Sequence, residues 1–182
     1  MLRILDITFS LFGLVFGSPV LLAIYVAGLF DTGSPIFRQE RVGKNKRPFT
    51  LVKFRTMSLD TASVASHLAS TASITKMGGV LRKTKLDELP QLLNVLKGEM
   101  SLVGPRPGLF SQLELTEARD VKGVFDVRPG ITGLAQVNDI DMSTPILLAE
   151  ADAKMISAMS FKNYFKYILQ TILGAGAGDR VK

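Results

Sequence analysis

The sequence predicts a mainly α-helical, membrane-embedded protein carrying one short β-hairpin. Three observations lead there. Residues Ile7 to Phe30 are apolar apart from Thr8, Ser10, Ser18 and Tyr25, and carry no formal charge. Partly alternating residues flank the turn-like Gly43-Lys-Asn-Lys-Arg-Pro48, the pattern of a hairpin. Leucines at 86, 89, 93 and 96 recur at the three-and-four spacing of a helix face. At 182 residues the chain is long enough for one domain with a core and too short for two of typical size.

The N-terminal run at 1.5 Å per residue reaches about 36 Å, enough for a hydrocarbon core of roughly 30 Å. It is too long for the apolar part of a cleaved signal, and no small-residue cleavage site follows it. Ser18-Pro19 sits near its middle, where proline removes a backbone hydrogen bond and bends a helix. Arg3 precedes the run, and Arg38, Arg41, Lys44, Lys46 and Arg47 follow it. The positive-inside tendency places the downstream side in the cytoplasm. A straight span and a hairpin that re-enters the same leaflet both satisfy these features.

In the second strand of the hairpin, Lys53 and Arg55 share one face and Phe54 takes the other. A basic strand beside a membrane can bind headgroups or substrate phosphates, or be a solvated face. Ser58 to Thr75, rich in Ala, Ser and Thr and containing the lone histidine, His67, reads as a polar-faced helix or a loop. Arg82, Lys83 and Lys85 then lead into Asp87 and Glu88. Thr84 is placed to start a helix and Gly98 to stop one, with Pro90 in the first turn, where its missing N–H costs nothing. Carboxylates at that end stay ionised beside the positive helix pole, able to act as nucleophile or magnesium ligand. Thr84 and Asp87 also match a capping box, which would need no chemistry at all.

Gly104-Pro-Arg-Pro-Gly108 would present Arg106 in one direction, as a phosphate contact requires, or simply form a turn. Leu109 to Gly123 reads as a solvent-facing helix with Glu114, Glu117, Arg119 and Asp120. Thr144 to Leu173 reads as one long helix or two with a break near Ser160. Phe161, Tyr164, Phe165, Tyr167 and Ile168, interleaved with Lys162 and Lys166, fit an interfacial amphipathic helix or a docked core helix. The closing Gly-Ala-Gly-Ala-Gly-Asp run should fray.

Composition narrows the chemistry. Without cysteine and with a single histidine, thiol nucleophiles, His-centred triads and multi-His metal sites have no residues to use. Neither a P-loop nor a Rossmann glycine motif occurs. A net charge of +6 calls for an anionic partner: membrane, nucleic acid or phosphorylated substrate. Nucleic acid fits poorly, because no nucleic-acid motif is present and the aromatics cluster in apolar stretches. A non-catalytic lipid- or protein-binding role accounts for charge and hydrophobicity, but not for an Asp-Glu pair in basic surroundings.

One combination is specific. Lys53-Phe-Arg-Thr-Met57, Leu81-Arg-Lys-Thr84, Leu86-Asp-Glu-Leu-Pro-Gln-Leu92, Ser101-Leu-Val-Gly-Pro-Arg-Pro107 and Arg128-Pro-Gly-Ile-Thr-Gly133 occur in that order. The chain thereby resembles the small monotopic phosphoglycosyl transferases, bacterial sugar transferases that begin polyprenyl-linked glycan assembly. The resemblance implies a single catalytic domain over 1–182, with residues 4–30 as a re-entrant membrane helix broken at Ser18 and Pro19. It implies a bacterial inner (cytoplasmic) membrane location with the catalytic face towards the cytoplasm. It implies magnesium (Mg2+), a UDP-sugar, polyprenyl phosphate such as undecaprenyl phosphate, and membrane lipid as partners; a homo-oligomer stays open, and nucleic acid is not a partner.

By residue match, Asp87 is the nucleophile and a metal ligand, and Glu88 assists. Arg82 and Arg106 match phosphate contacts, with Lys53 and Arg55 as further candidates and Arg128 and Gln136 on the nucleotide side. The chain departs from the pattern in three places. Asp139-Ile140-Asp141 follows Asn138 where many relatives carry Gly-Arg. Lys85 stands where serine is frequent, and Glu99 where aspartate is common.

Overall fold

The computed structural model describes residues 2–61 and 71–176; the stretch containing His67 lies outside the described residues. Its first element, α1 (Leu2–Asp31), is long and apolar enough to cross a membrane. The helix runs on through Pro19 for a local reason. Pro19 has no N–H for the carbonyl of Val15, and the Ser18 hydroxyl donates to that carbonyl instead, at 2.8 Å. Both ends of α1 are fastened to the rest of the chain. Arg3 donates to the carbonyls of Leu96 and Met100, and Asp6 accepts from Ser101 Oγ, Leu102 N and Tyr164 Oη. Near the other end, Gly28 lies against the Pro35 ring and Asp31 accepts from Thr75 Oγ1. Ile4, Leu11, Phe12, Val15, Phe16 and Leu22 stay exposed on the outward side.

The hairpin forms as expected: β1 (Ile36–Val42) pairs antiparallel with β2 (Pro48–Phe54), with Gln39 opposite Leu51. The chain then returns through Thr75 N to Thr56 O and enters α2 (Lys76–Thr84), capped by the Thr75 hydroxyl at Gly78 N. A 3-10 turn at Leu86–Glu88 leads to α3 (Gln91–Lys97). Thr84 therefore ends a helix rather than starting one. Its hydroxyl donates back to Val80 and Leu81 carbonyls, so the capping box does not form. Gly98, at φ 86°, does stop α3.

The buried side of α3 also differs from the leucine repeat. Leu92, Val95, Gln91 and Asn94 point inward, while Leu93 is 45% exposed. Asn94 explains the rotation: Oδ1 accepts from Val52 N and Nδ2 donates to Thr50 O, so its amide caps the free edge of β2 like a strand residue. Glu99 takes the other amide proton at 2.6 Å. Phe49, Leu51, Val95 and Met100 fill the core between α3 and the hairpin.

Beyond the hairpin the chain makes a second, parallel pair of short strands. In it β3 (Ser101–Val103) lies beside β4 (Gly130–Thr132), with Ser101 opposite Gly130. Between them lies α4 (Leu113–Val121), and after them α5 (Leu134–Val137), α6 (Pro145–Ser157) and α7 (Phe161–Ile172). The break at Ser160 is real, and its hydroxyl caps α7 at Asn163 N. Tyr164 and Tyr167 dock α7 against Val103 and Met155, while Phe161, Phe165, Leu169 and Ile172 remain exposed on its other side. So α7 is docked along one face and apolar along the other.

Two further expectations fail. Arg119 on α4 is buried, not solvent-facing, because it is ion-paired to Asp152 of α6. Of the closing glycine-rich run, Gly174 to Gly176 docks rather than frays: Ala175 N bonds Gln170 O, and its carbonyl accepts from Lys85 Nζ.

Candidate active site

Asp87 and Glu88 sit on the 3-10 turn that joins α2 to α3. The turn exists because Lys85 adopts the left-handed conformation (φ 58°, ψ 14°), which ends α2 and reverses the chain. Asp87 is 3% exposed. Glu88 Oε1 pairs with Arg106 Nη2 at 2.9 Å, which places the Pro-Arg-Pro loop directly over the turn.

That loop is pinned one carbonyl at a time. Pro105 O accepts from Gly130 N, Arg106 O from Arg119 Nη1 (2.8 Å), Pro107 O from Arg41 Nη1 (3.0 Å) and Gly108 O from Val42 N. Prolines flanking Arg106 remove N–H groups and restrict the backbone before them, so the loop cannot join a regular element. Fixed donors from β1, α4 and the β4 entrance supply the order instead. Gly104 and Gly130 let the two strands close beneath the loop, since a Cβ on Gly130 would meet Gly104 N at 2.0 Å.

Arg106, Lys53, Arg41 and Gln91 line one cleft, with Pro107 and Gly130. Lys53 and Arg55 do share a face, flanking the Phe37 ring at 5.7 Å and 5.5 Å from its centroid. Arg55 turns away from the cleft to the carbonyls of Ser34 and Ile36. Arg82, one turn after Gly78 on α2, donates through Nε to Thr56 Oγ1 at 2.8 Å. Gln136 sits at the base of the loop, with Nε2 at 3.4 Å from Gly104 O. Arg128 is elsewhere. Its Nε donates to Gly98 O, and it lines a separate cavity of about 240 Å³ with Arg3, Lys44 and Pro105. Of the sequence candidates, Arg106 and Lys53 thus share the cleft, Glu88 is ion-paired to Arg106 with Asp87 beside it on the turn, Arg82 stands on the adjoining helix, and Arg55 and Arg128 point to other surroundings.

Lys85, Arg41, Gln91 and Arg119 join the site without having been singled out. Burial pushes the Lys85 ammonium below its usual range; Glu88 and Asp139 pull it back up and Arg106 adds to the lowering. The unusual Asp139, itself left-handed at φ 58°, thereby lies within electrostatic reach of the dyad's neighbourhood. A signal existed for Lys85, which departs from the resembled pattern immediately before the acids. None existed for Arg119, whose burial depends on a partner 33 residues away.

Among the described residues no three His, Cys, Asp or Glu side chains gather as a metal cage. Carboxylate oxygens beside guanidinium and ammonium groups, with no thiol or imidazole among the described residues, form a centre suited to phosphoryl chemistry. The comparisons with known proteins agree with a specific class. The bacterial sugar transferase family matches residues 1–176, and the chain belongs to that family.

It is 37% identical over 180 residues to the UDP-glucose:undecaprenyl-phosphate glucose-1-phosphate transferase of Caulobacter vibrioides, covering 93% of this chain and 67% of that protein. It is 44% identical over 137 residues to the uncharacterized sugar transferase EpsL of Bacillus subtilis, covering 75% and 67%. It is 37% identical over 164 residues to the undecaprenyl-phosphate galactose phosphotransferase of Salmonella typhimurium, covering 79% of this chain and 34% of that protein. The chain therefore spans from about a third to two thirds of the length of the relatives it matches.

Proposed function

We propose that this chain transfers a sugar 1-phosphate from a UDP-sugar to undecaprenyl phosphate, releasing UMP, through a phosphosugar carried on Asp87. The observation that carries the reading is the buried Asp87 on a turn whose next residue is ion-paired to the arginine of a fully pinned loop. The names of the matched relatives support the substrates and the direction of transfer.

In the first step an Asp87 carboxylate oxygen attacks the β-phosphorus. The bond from that phosphorus to the bridging oxygen breaks, and UMP leaves with the electron pair. In the second step a phosphate oxygen of the lipid attacks the same phosphorus and the carboxylate departs, giving a polyprenyl diphosphate sugar. Splitting one displacement in two lowers each barrier and predicts ping-pong kinetics. Arg106 and Lys53 hold the equatorial oxygens while charge moves across them. Glu88 fixes Arg106, and we read it as the helper at the metal site or in proton handling.

Oxygen donors suit magnesium, which takes one or two carboxylates and completes its shell with substrate phosphates and water. Asp87 would hold it with the diphosphate, and the ion would neutralise phosphate charge there.

The placement of α1 supports a monotopic arrangement. Arg3 and Asp6 at one end and Gly28 and Asp31 at the other are tied to the same body, so a straight crossing would drag that body into the bilayer. We read Ser18-Pro19 as a bend within the continuous α1 that lets both of its ends stay at the cytoplasmic leaflet. Because the chain has no cysteine, a single cysteine at Leu2 reports topology cleanly. Labelling from outside intact cells would contradict the re-entrant arrangement.

The test of function is mass spectrometry of the purified chain with magnesium and UDP-glucose, UDP-galactose or UDP-N-acetylgalactosamine, without lipid. A phosphosugar adduct on the wild type and none on Asp87→Asn is expected. UMP release that needs lipid, with no adduct under any condition, would replace the covalent route by direct transfer. Absence of both adduct and UMP with every donor and acceptor would refute the assignment for these sugars.

A further inference from the structure

The buried Arg119–Asp152 pair does more than join α4 to α6. Arg119 donates twice to Asp152 Oδ2, from Nε at 2.9 Å and Nη2 at 2.7 Å, and its remaining Nη1 goes to the carbonyl of Arg106 at 2.8 Å. Both side chains are closed to solvent, at 4% and 0% exposure. Asp152 Oδ1 has no partner among the described residues. As a staple this is a poor device. Taking two charges out of water costs as much as their attraction returns, and hydrophobic replacements commonly do as well.

The surroundings offer such a replacement at once: Leu115 of α4 and Leu148 and Ala151 of α6 form an apolar cluster with Ala135 of α5. What an apolar pair cannot supply is a donor aimed at the Arg106 carbonyl. A lysine cannot supply it either, since its donors radiate from one atom and do not span Asp152 and the loop together.

We propose that Arg119, oriented by Asp152, is a positioning residue for Arg106. It holds the Arg106 backbone so that the guanidinium stays at Glu88 and meets the phosphoryl group. The two planar hydrogen bonds to Asp152 fix the plane of the Arg119 guanidinium, and its third donor transmits that direction to the loop. Arg41 does the same for the next carbonyl, so the two residues at the loop's apex are held from opposite elements, β1 and α4. The inference rests on the reading that Arg106 contacts a substrate phosphate.

The test is a double-mutant cycle on the full chain in lipid nanodiscs. Initial rates of UMP release are measured with undecaprenyl phosphate and whichever of the three UDP-sugars is turned over fastest. Arg119→Lys is made alone and in an Arg106→Ala background, with rates expressed per folded enzyme. Arg119→Lys is expected to lower the rate about tenfold in the wild type and less than about twofold when Arg106 is gone, as coupled residues do. An equal factor in both backgrounds would mean that Arg119 acts independently of Arg106, and that result overturns the proposal. So does an unchanged rate for Arg119→Lys in the wild type.

If Arg106→Ala by itself leaves the rate unchanged, the phosphate reading of Arg106 fails, and the positioning role fails with it. The two failures are thus distinguishable. Should Arg119→Lys not fold, Asp152→Asn enters the same cycle. It keeps the shape and an acceptor but removes the charge that orients Arg119, and it is judged by the same criterion.

Discussion

Adjacent glycines on α2 offer a sharp test of how closely that helix must approach the site. A Cβ on Gly78 would lie 2.1 Å from the Thr56 carbonyl oxygen and 2.7 Å from its Cα, whereas a Cβ on Gly79 would meet nothing within 4 Å. Ordinary contact begins at 3.4 Å, so Gly78→Ala must open the gap by 3.4 − 2.1 = 1.3 Å. The obstacle is backbone, already fixed by the bond from Thr75 N to Thr56 O, and cannot swing aside. The helix must lift. Arg82, one turn further along, then loses its 2.8 Å bond to Thr56 Oγ1 and shifts with the turn that carries Asp87.

Overpacking costs about 1–3 kcal/mol, and alanine returns about 1 kcal/mol of helix propensity. The net loss is at most about 2 kcal/mol, a fall in Tm of up to roughly 8 °C for a chain of this size. Catalysis suffers more, because a displacement of about 1 Å at a positioned group costs on the order of a hundredfold in rate. The assay pairs UMP release with thermal unfolding for Gly78→Ala and Gly79→Ala. Gly79→Ala should keep full activity and gain up to about 1 kcal/mol. A Gly78→Ala enzyme with wild-type rate and Tm would refute the claim that close contact between α2 and Thr56 sets the site.

Other expectations follow from single contacts. Burial and the neighbouring Asp6 hold the Tyr164 phenol well above its ordinary pKa of 10.0. A raised folded-state pKa means stability fully present below pH 10 and lost as pH rises beyond it. The advantage of wild type over Tyr164→Phe in unfolding free energy should therefore shrink above pH 10, by up to about 1.4 kcal/mol per unit. An advantage that stays constant from pH 8 to 11 would contradict this. Asp6→Ala strands Ser101 Oγ, Leu102 N and Tyr164 Oη, and should destabilise by about 3 kcal/mol or more while exposing α1 to proteolysis at its start. Replacing exposed Phe12 and Phe16 together by glutamate should move the protein from vesicle-bound to free fractions in flotation, without changing the Tyr164 contact. Recovery wholly in the vesicle fraction would show that this side of α1 is not the membrane face.

Local pattern determined a good deal of this protein. The apolar run of α1, the hairpin around Gly43 to Pro48 and the stop at Gly98 follow from neighbours in sequence and stand in the structure, which also settles the break near Ser160 that the sequence left open against one long helix. The ordered motifs from Lys53 to Gly133 likewise sufficed to point to the family. What the tertiary structure alone decided concerns partners far apart in the chain.

Arg119 reads as a surface charge until Asp152 neutralises it. Leu93 reads as core until Asn94 turns α3 to reach the β2 edge. Thr84 reads as a helix start until the left-handed Lys85 makes it an end. The rigidity of the Pro-Arg-Pro loop was visible as proline content, but its direction comes from four donors on other elements. Periodicity and turn chemistry act over a few residues and are written locally. Burial of a charge, or the rotation of a helix about its axis, is settled by which distant group pays its desolvation.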